Sequence, residues 1–182
     1  MKRFLTGALI STAVFAVGGF AQPAAAFADA APYADRAVRF APPPDFESVP
    51  VPSVDLSEQS HLTPVAAYVR NRGREEQLSI FVLMEPFDGP LGGFEATVEN
   101  DLRAQIDGLF VSKKTLTRLP NGMPAYWLKL AYGEGFSSMQ EYLYAAIDGR
   151  RGIAVAVSGR LGVIDEEKAK DALKNLAVVL YP

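Results

Sequence analysis

One histidine, one tryptophan and no cysteine bound the chemistry open to this 182-residue chain. His61 follows Ser60 and precedes Leu62 and Thr63. A nucleophile and its base must lie within hydrogen-bond reach with an acid orienting the base, whereas neighbours on an extended chain point to opposite faces. Ser60 and His61 therefore make no triad by themselves, and a surface or turn histidine is the plainer reading. Without cysteine there is no thiol nucleophile, disulfide or thiolate metal site. A zinc ion would have to draw nearly all its ligands from carboxylates. The expectation is no metal, no cofactor and no catalytic residue.

Carboxylates cluster at Asp45, Glu47, Asp55 and Glu58, but their spacing matches no calcium loop, which needs ligands at fixed alternate positions and a glycine at the sixth. They read as a solvated acidic segment. Gly89, Gly92 and Gly93 lack the Lys-Ser/Thr ending of a phosphate loop, and the Gly133–Gly135 turn leads into a strand rather than a helix. Lys113, Lys114 and Arg118 form a short basic patch, best read as a solvated strand face.

Aromatic residues give the better lead. In 125–132, Tyr126, Leu128, Leu130 and Tyr132 alternate with Trp127, Lys129 and Ala131. If Trp127 is exposed beside Lys129 and near Tyr142 or Tyr144, the four make an aromatic partner surface of the kind enriched at interfaces. The alternative is that a second layer, such as the N-terminal segment, covers the indole.

The elements that must position these residues follow from periodicity and turns. A short first strand over 37–40 leads into a Pro-rich turn that ends at Phe46 and carries the chain off the sheet. Strands at 65–70 and 78–85 form a hairpin, and the second, apolar on both faces, is central. From Phe94 the apolar residues Phe94, Val98, Leu102 and Ile106 fall one turn apart. They predict an amphipathic helix, with Glu95, Glu99, Asp101 and Arg103 on its polar side and Gly108 as its stop. Strands at 110–119, 125–132, 140–148 and 152–160 then form an antiparallel meander. Gly152, Ala154, Ala156 and Ser158 make a small-residue face that a helix can approach closely. Asp165 caps a last helix whose buried stripe is Ala169, Ala172, Leu173, Leu176 and Leu180. The fold class is α+β, a mostly antiparallel sheet with helices packed on it.

The N-terminus reads as an export signal. Lys2 and Arg3 precede an uncharged run to Phe20, then Pro23 and the alanines of an A-x-A site. Cleavage is expected after Ala26, or else after Ala30, and an absent cysteine leaves no lipid attachment of the lipoprotein kind. The domains are then a signal peptide at 1–26, a loose stretch at 27–36 and one α+β domain at 37–182. The mature 156 residues suit one domain burying about 68–70% of its unfolded surface. Losing Lys2 and Arg3 takes the formal charge from -3 to -5, which argues against nucleic acid and against stable membrane attachment.

The Pro44-Asp45-Phe46 turn after the first strand, the helix after the central hairpin, and the Asp165-Glu166-Glu167 helix running to Leu180-Tyr181-Pro182 carry a resemblance. Over roughly Val38 to Tyr181 the chain resembles the PsbP/DcrB-like α/β/α sandwich family. That resemblance implies a small non-enzymatic protein, since the family includes extrinsic photosystem II subunits, a nuclear import factor that binds a small GTPase, and bacterial envelope or chaperone proteins. The reading is therefore an exported binding or accessory protein of the bacterial cell envelope, periplasmic or secreted, with an envelope protein as partner. The alternatives are a small periplasmic hydrolase or carbohydrate-active domain using carboxylates, and a periplasmic chaperone for hydrophobic segments.

Overall fold

The computed structural model describes residues 31–51, 61–73, 76–135 and 138–181. The expected leader at 1–26, both expected cleavage points, Ser60, Asp55 and Glu58 lie outside the described residues. Among the described residues ten strands and two helices follow in the order β1 (Tyr33–Ala34), β2 (Val38–Phe40), β3 (Glu47–Val49), β4 (Thr63–Arg70), β5 (Leu78–Pro86), α1 (Leu91–Gln105), β6 (Phe110–Arg118), β7 (Pro124–Tyr132), β8 (Met139–Ile147), β9 (Arg151–Arg160), α2 (Glu166–Ala172) and β10 (Ala177–Val178). Seven of the strands form one antiparallel sheet in the order β3-β4-β5-β9-β8-β7-β6. The other three form a small sheet, β1-β2-β10. The fold is α+β and mostly antiparallel.

Topology follows from one crossing and three tight turns. After β5, helix α1 carries the chain over the sheet to its far margin, and β6, β7, β8 and β9 then return strand by strand until β9 pairs with β5. Gly122 and Gly149 hold positive φ of 89° and 97° in the β6–β7 and β8–β9 turns, a conformation in which a Cβ is strained. At the end of α1 the Ile106 N–H still bonds the Leu102 carbonyl, and Gly108 at φ 72° turns the chain into β6. The result places β5 and β9 mid-sheet, which is why every residue of β5 except Pro86 is buried.

The two faces of the large sheet carry separate cores. On one, α1 presses Phe94, Val98 and Leu102 against Phe81, Leu83, Leu128, Leu143, Ala154 and Ala156. The small-residue face of β9 does receive a helix: a Cβ added at Gly152 would overlap the Phe94 ring. On the other face, β2, β10 and α2 cover Tyr68, Ile80, Val82, Trp127, Tyr142, Val155 and Val157.

Three expectations need correction. Residues 33–36 are not loose, because β1 pairs with β2 and the Asp35 carboxylate accepts from the Ala37 and Val38 N–H groups and pairs with Arg151 at 2.7 Å. The last helix is capped by Asp165 as expected, its carboxylate accepting the Lys168 N–H at 2.8 Å, but it ends at Ala172. Leu176 stays buried in the turn that follows, whereas Ala177 and Val178 become extended to pair with β2, which leaves Leu180 67% exposed. Nor is the polar side of α1 solvated throughout. Glu95 and Asp101 are buried, because Lys114 of β6 closes over the first and the His61 backbone N–H donates to the second at 3.2 Å.

Candidate functional site

The structure brings the four aromatic-surface residues together but not at the surface. Trp127 stacks on Tyr142 with ring centroids 5.6 Å apart and meets Tyr144 at a tilt of 53° and 4.5 Å, and Lys129 stands over the Tyr142 ring at 5.7 Å. Trp127 is 2% exposed, and Tyr142 and Tyr144 are buried with it. The covering layer contains Ala169, Ala172 and Leu173, with the Lys170 ammonium 5.8 Å from the indole. The expected partner surface is thus a core stack. The second layer won because Asp165 starts a helix that lands on this face. The Trp127 Nε1–H is buried without a hydrogen-bond acceptor.

His61 meets no nucleophile among the described residues. It is exposed, and it borders two buried carboxylates, Asp101 and Glu85. Glu85 is 3% exposed and neither carboxylate oxygen has a hydrogen-bond partner. Burial, then the charge of Asp101, push its pKa up, and His61 works against them. A third buried acid, Glu141 on β8, accepts from the Tyr132 hydroxyl at 3.4 Å. Burial holds its pKa up at about 7 despite that bond. Of the N-terminal carboxylates, Asp45 is paired with Arg70 and Arg72, and Glu47 is exposed on β3.

The arrangement suited to a partner lies at the β6 margin. Here Phe110 and Leu116 are 63% and 62% exposed, the former on the α2 side of the sheet and the latter on the α1 side. Leu116, Thr117, Arg118 and Pro124 line a shallow, open hollow of about 520 Å³. The basic patch is more structured than a solvated strand face. Lys113 reaches Glu166 of α2 at 3.0 Å, while Lys114 turns to the opposite face and holds Glu95 at 3.0 Å and Glu99 at 3.1 Å. Those contacts raise the Lys114 pKa, Glu95 contributing most; Arg103 first, and then Lys114, hold Glu99 below its ordinary value. Glu166 is lowered likewise by Lys170 and Lys113. Arg118 donates to the Gly122 carbonyl at 2.8 Å and has no carboxylate within ion-pair distance among the described residues.

No family model matches this chain, and no curated protein sequence matches it. Among solved structures it is similar to a protein of unknown function from Pseudomonas aeruginosa, with a TM-score of 0.50 and 11% identity over 80% of this chain and 85% of that one. A second likeness, to a Bacteroides thetaiotaomicron protein, has a TM-score of 0.49 and 9% identity over 83% of this chain and 49% of that one. At such identity the first likeness speaks to the fold alone, an α+β domain built on antiparallel strands.

Sequence reasoning found Lys113, Lys114 and Arg118 but missed their setting. The alternation of 110–119 marks a strand, and nothing local says that it is the last one in the sheet. The one hint in the sequence is composition, a lone leucine at 116 within a run of lysines and threonines, which suits a strand with little cover.

Proposed function

We propose that the chain is a non-catalytic binding or accessory protein exported to the bacterial cell envelope, and that it meets its protein partner along the β6 margin. The observation that carries the reading is the pair of large exposed apolar side chains, Phe110 and Leu116, on a nine-residue strand at the edge of the sheet. An edge strand of that length offers unpaired backbone donors and acceptors together with apolar contact area. Export is supported by the Lys2-Arg3 start, the uncharged run to Phe20 and the alanines before Phe27. Kinship with the PsbP/DcrB-like sandwich belongs to the same proposal and rests on the order of elements from β2 to α2.

The test combines mass spectrometry of the protein from its native envelope with a photo-cross-linking residue placed at Thr115 of β6 or at Ser48 of β3. The expected result is a chain starting at Phe27 or Ala31, and a discrete envelope protein captured from Thr115 but not from Ser48. A chain retaining Met1 in the cytoplasm, or equal capture from both strands, would overturn the reading.

A second reading has one observation behind it. The unpartnered, buried Glu85 beside Asp101 and His61 resembles the raised carboxylic acid of an acid–base pair, as an envelope hydrolase would require. Hydrolysis of oligosaccharide or ester substrates that is lost in Glu85→Gln, with folding retained, would move the conclusion to that reading.

A further inference from the structure

We infer that β6 binds an extended segment of an acidic partner by strand addition, in register with Lys113–Arg118. The inference rests on the β6 margin being the partner surface, and it names how that surface is used.

Three observations carry it. First, among the described residues no strand pairs with the outer side of β6, and β7 occupies only its inner side. The irregularity between Val111 and Lys113 breaks the ladder at its start, but from Lys113 to Arg118 the register is continuous. Six residues of regular edge remain, enough to exchange main-chain hydrogen bonds with an added strand.

Second, the charges that ordinarily guard an edge are drawn away from it. Lysines protect edge strands by projecting where another strand would dock. Here the Lys113 ammonium is held by Glu166 over one face and the Lys114 ammonium by Glu95 and Glu99 over the other. Both are compensated by the helices, so neither repels an incoming backbone.

Third, the remaining features fix the occupant's chemistry. Lys114, Leu116 and Arg118 share the α1 face of the strand, so a paired segment sets alternate residues opposite them. Leu116 and its hollow call for an apolar residue, and Arg118, which has no carboxylate partner among the described residues, calls for an acid two positions away. Lys113, Thr115 and Thr117, on the other face, suit small polar or β-branched residues. A second copy of the chain fits worse. Antiparallel self-pairing that matched Leu116 with Leu116 would set Arg118 opposite Lys114, whose ammonium Glu95 and Glu99 already hold, and so would give Arg118 no carboxylate.

The probe is a palindromic peptide, Thr-Glu-Thr-Val-Thr-Glu-Thr, which offers the same face in either strand direction. Its control carries lysine in place of both glutamates. Backbone amide exchange is followed residue by residue in the purified mature protein. The expected result is at least a tenfold slowing at alternate amides between Lys113 and Arg118 with the acidic peptide, and none with the basic one. Arg118→Glu should reverse that preference, and Leu116→Thr should weaken binding at least threefold, both with unchanged far-ultraviolet spectra. No protection by the acidic peptide, or protection away from β6, overturns the inference, while cross-linking at Thr115 would still stand for the wider reading. Protection that grows with protein concentration and needs no peptide assigns the edge to a second copy, and overturns it also.

Discussion

The two faces of the large sheet bury different things. Beneath β2, β10 and α2 the core is aromatic and apolar, built on Trp127, Tyr142, Tyr144 and Tyr68, with Gln140 and Asp148 its buried polar residues among those described, the Asp148 carboxylate held by Arg151. Beneath α1 the core mixes aliphatic residues with Phe81, Phe94 and Tyr132 and is closely packed, yet it shelters Glu85, Glu95, Asp101, Glu141, Ser79 and Ser158. The difference follows from what covers each face. Alpha-helix α1 lies so close over Gly152 and the alanines of β9 that acids on its flanks lose contact with water. The α2 side has short elements that leave room for large rings. Buried carboxylates cost stability unless they are paired or protonated; Asp148 is paired with Arg151, whereas burial raises the pKa of Glu85 and Glu141, so the α1 face should lose stability as pH rises toward neutral and the other should not.

The largest test of the contrast is Trp127→Ala. If the indole is core, truncation should cost about 4 kcal/mol in urea unfolding followed by circular dichroism, since the chain then has no tryptophan to report by fluorescence. A cost under about 1 kcal/mol would return Trp127 to the surface.

Next is Glu141. Its pKa is raised from 4.5 to about 7, so as pH climbs the unfolded chain gives up its proton first. The stabilisation is therefore complete below about pH 4.5, falls as pH rises, and is gone above about 7, a swing of about 3 kcal/mol. Glu141→Gln should flatten that part of the stability profile, leaving the smaller contribution of Glu85 in the same direction. Parallel profiles for the variant and the natural chain would show that Glu141 is not a source of that pH dependence.

The smallest effect separates close packing from simple burial. Gly152→Ala places a methyl group against the Phe94 ring and should cost about 2 kcal/mol. Adding Phe94→Leu should recover part of that loss if the ring is what the methyl meets, and a purely additive double variant would place the strain elsewhere.

Much of the framework was legible because it is written locally. Pro120-Asn121-Gly122 and Asp148-Gly149 announce turns, Phe94, Val98 and Leu102 announce a helix by their spacing, and Asp165 with two glutamates announces another. Alternation in β5 pointed to cover on both faces, and the small residues of β9 to a helix close against one of them. These signals act over a few residues, through φ, hydrogen-bond geometry and the period of the side chains.

What covers what was decided only in three dimensions. Trp127 owes its burial to α2, an element far along the chain, and Val178 became a strand because β2 stood free beside it. Lys114 found Glu95 and Glu99 because α1 carries the chain across the sheet and sets β6 at its margin. The sequence alone determined the strands from β4 to β9, helix α1, the start of α2 and the turns between them, and that β6 carries lysines and a leucine. Only the tertiary structure made β6 an edge and the aromatic stack a core, since burial and pairing belong to the neighbours of a residue in space rather than along the chain.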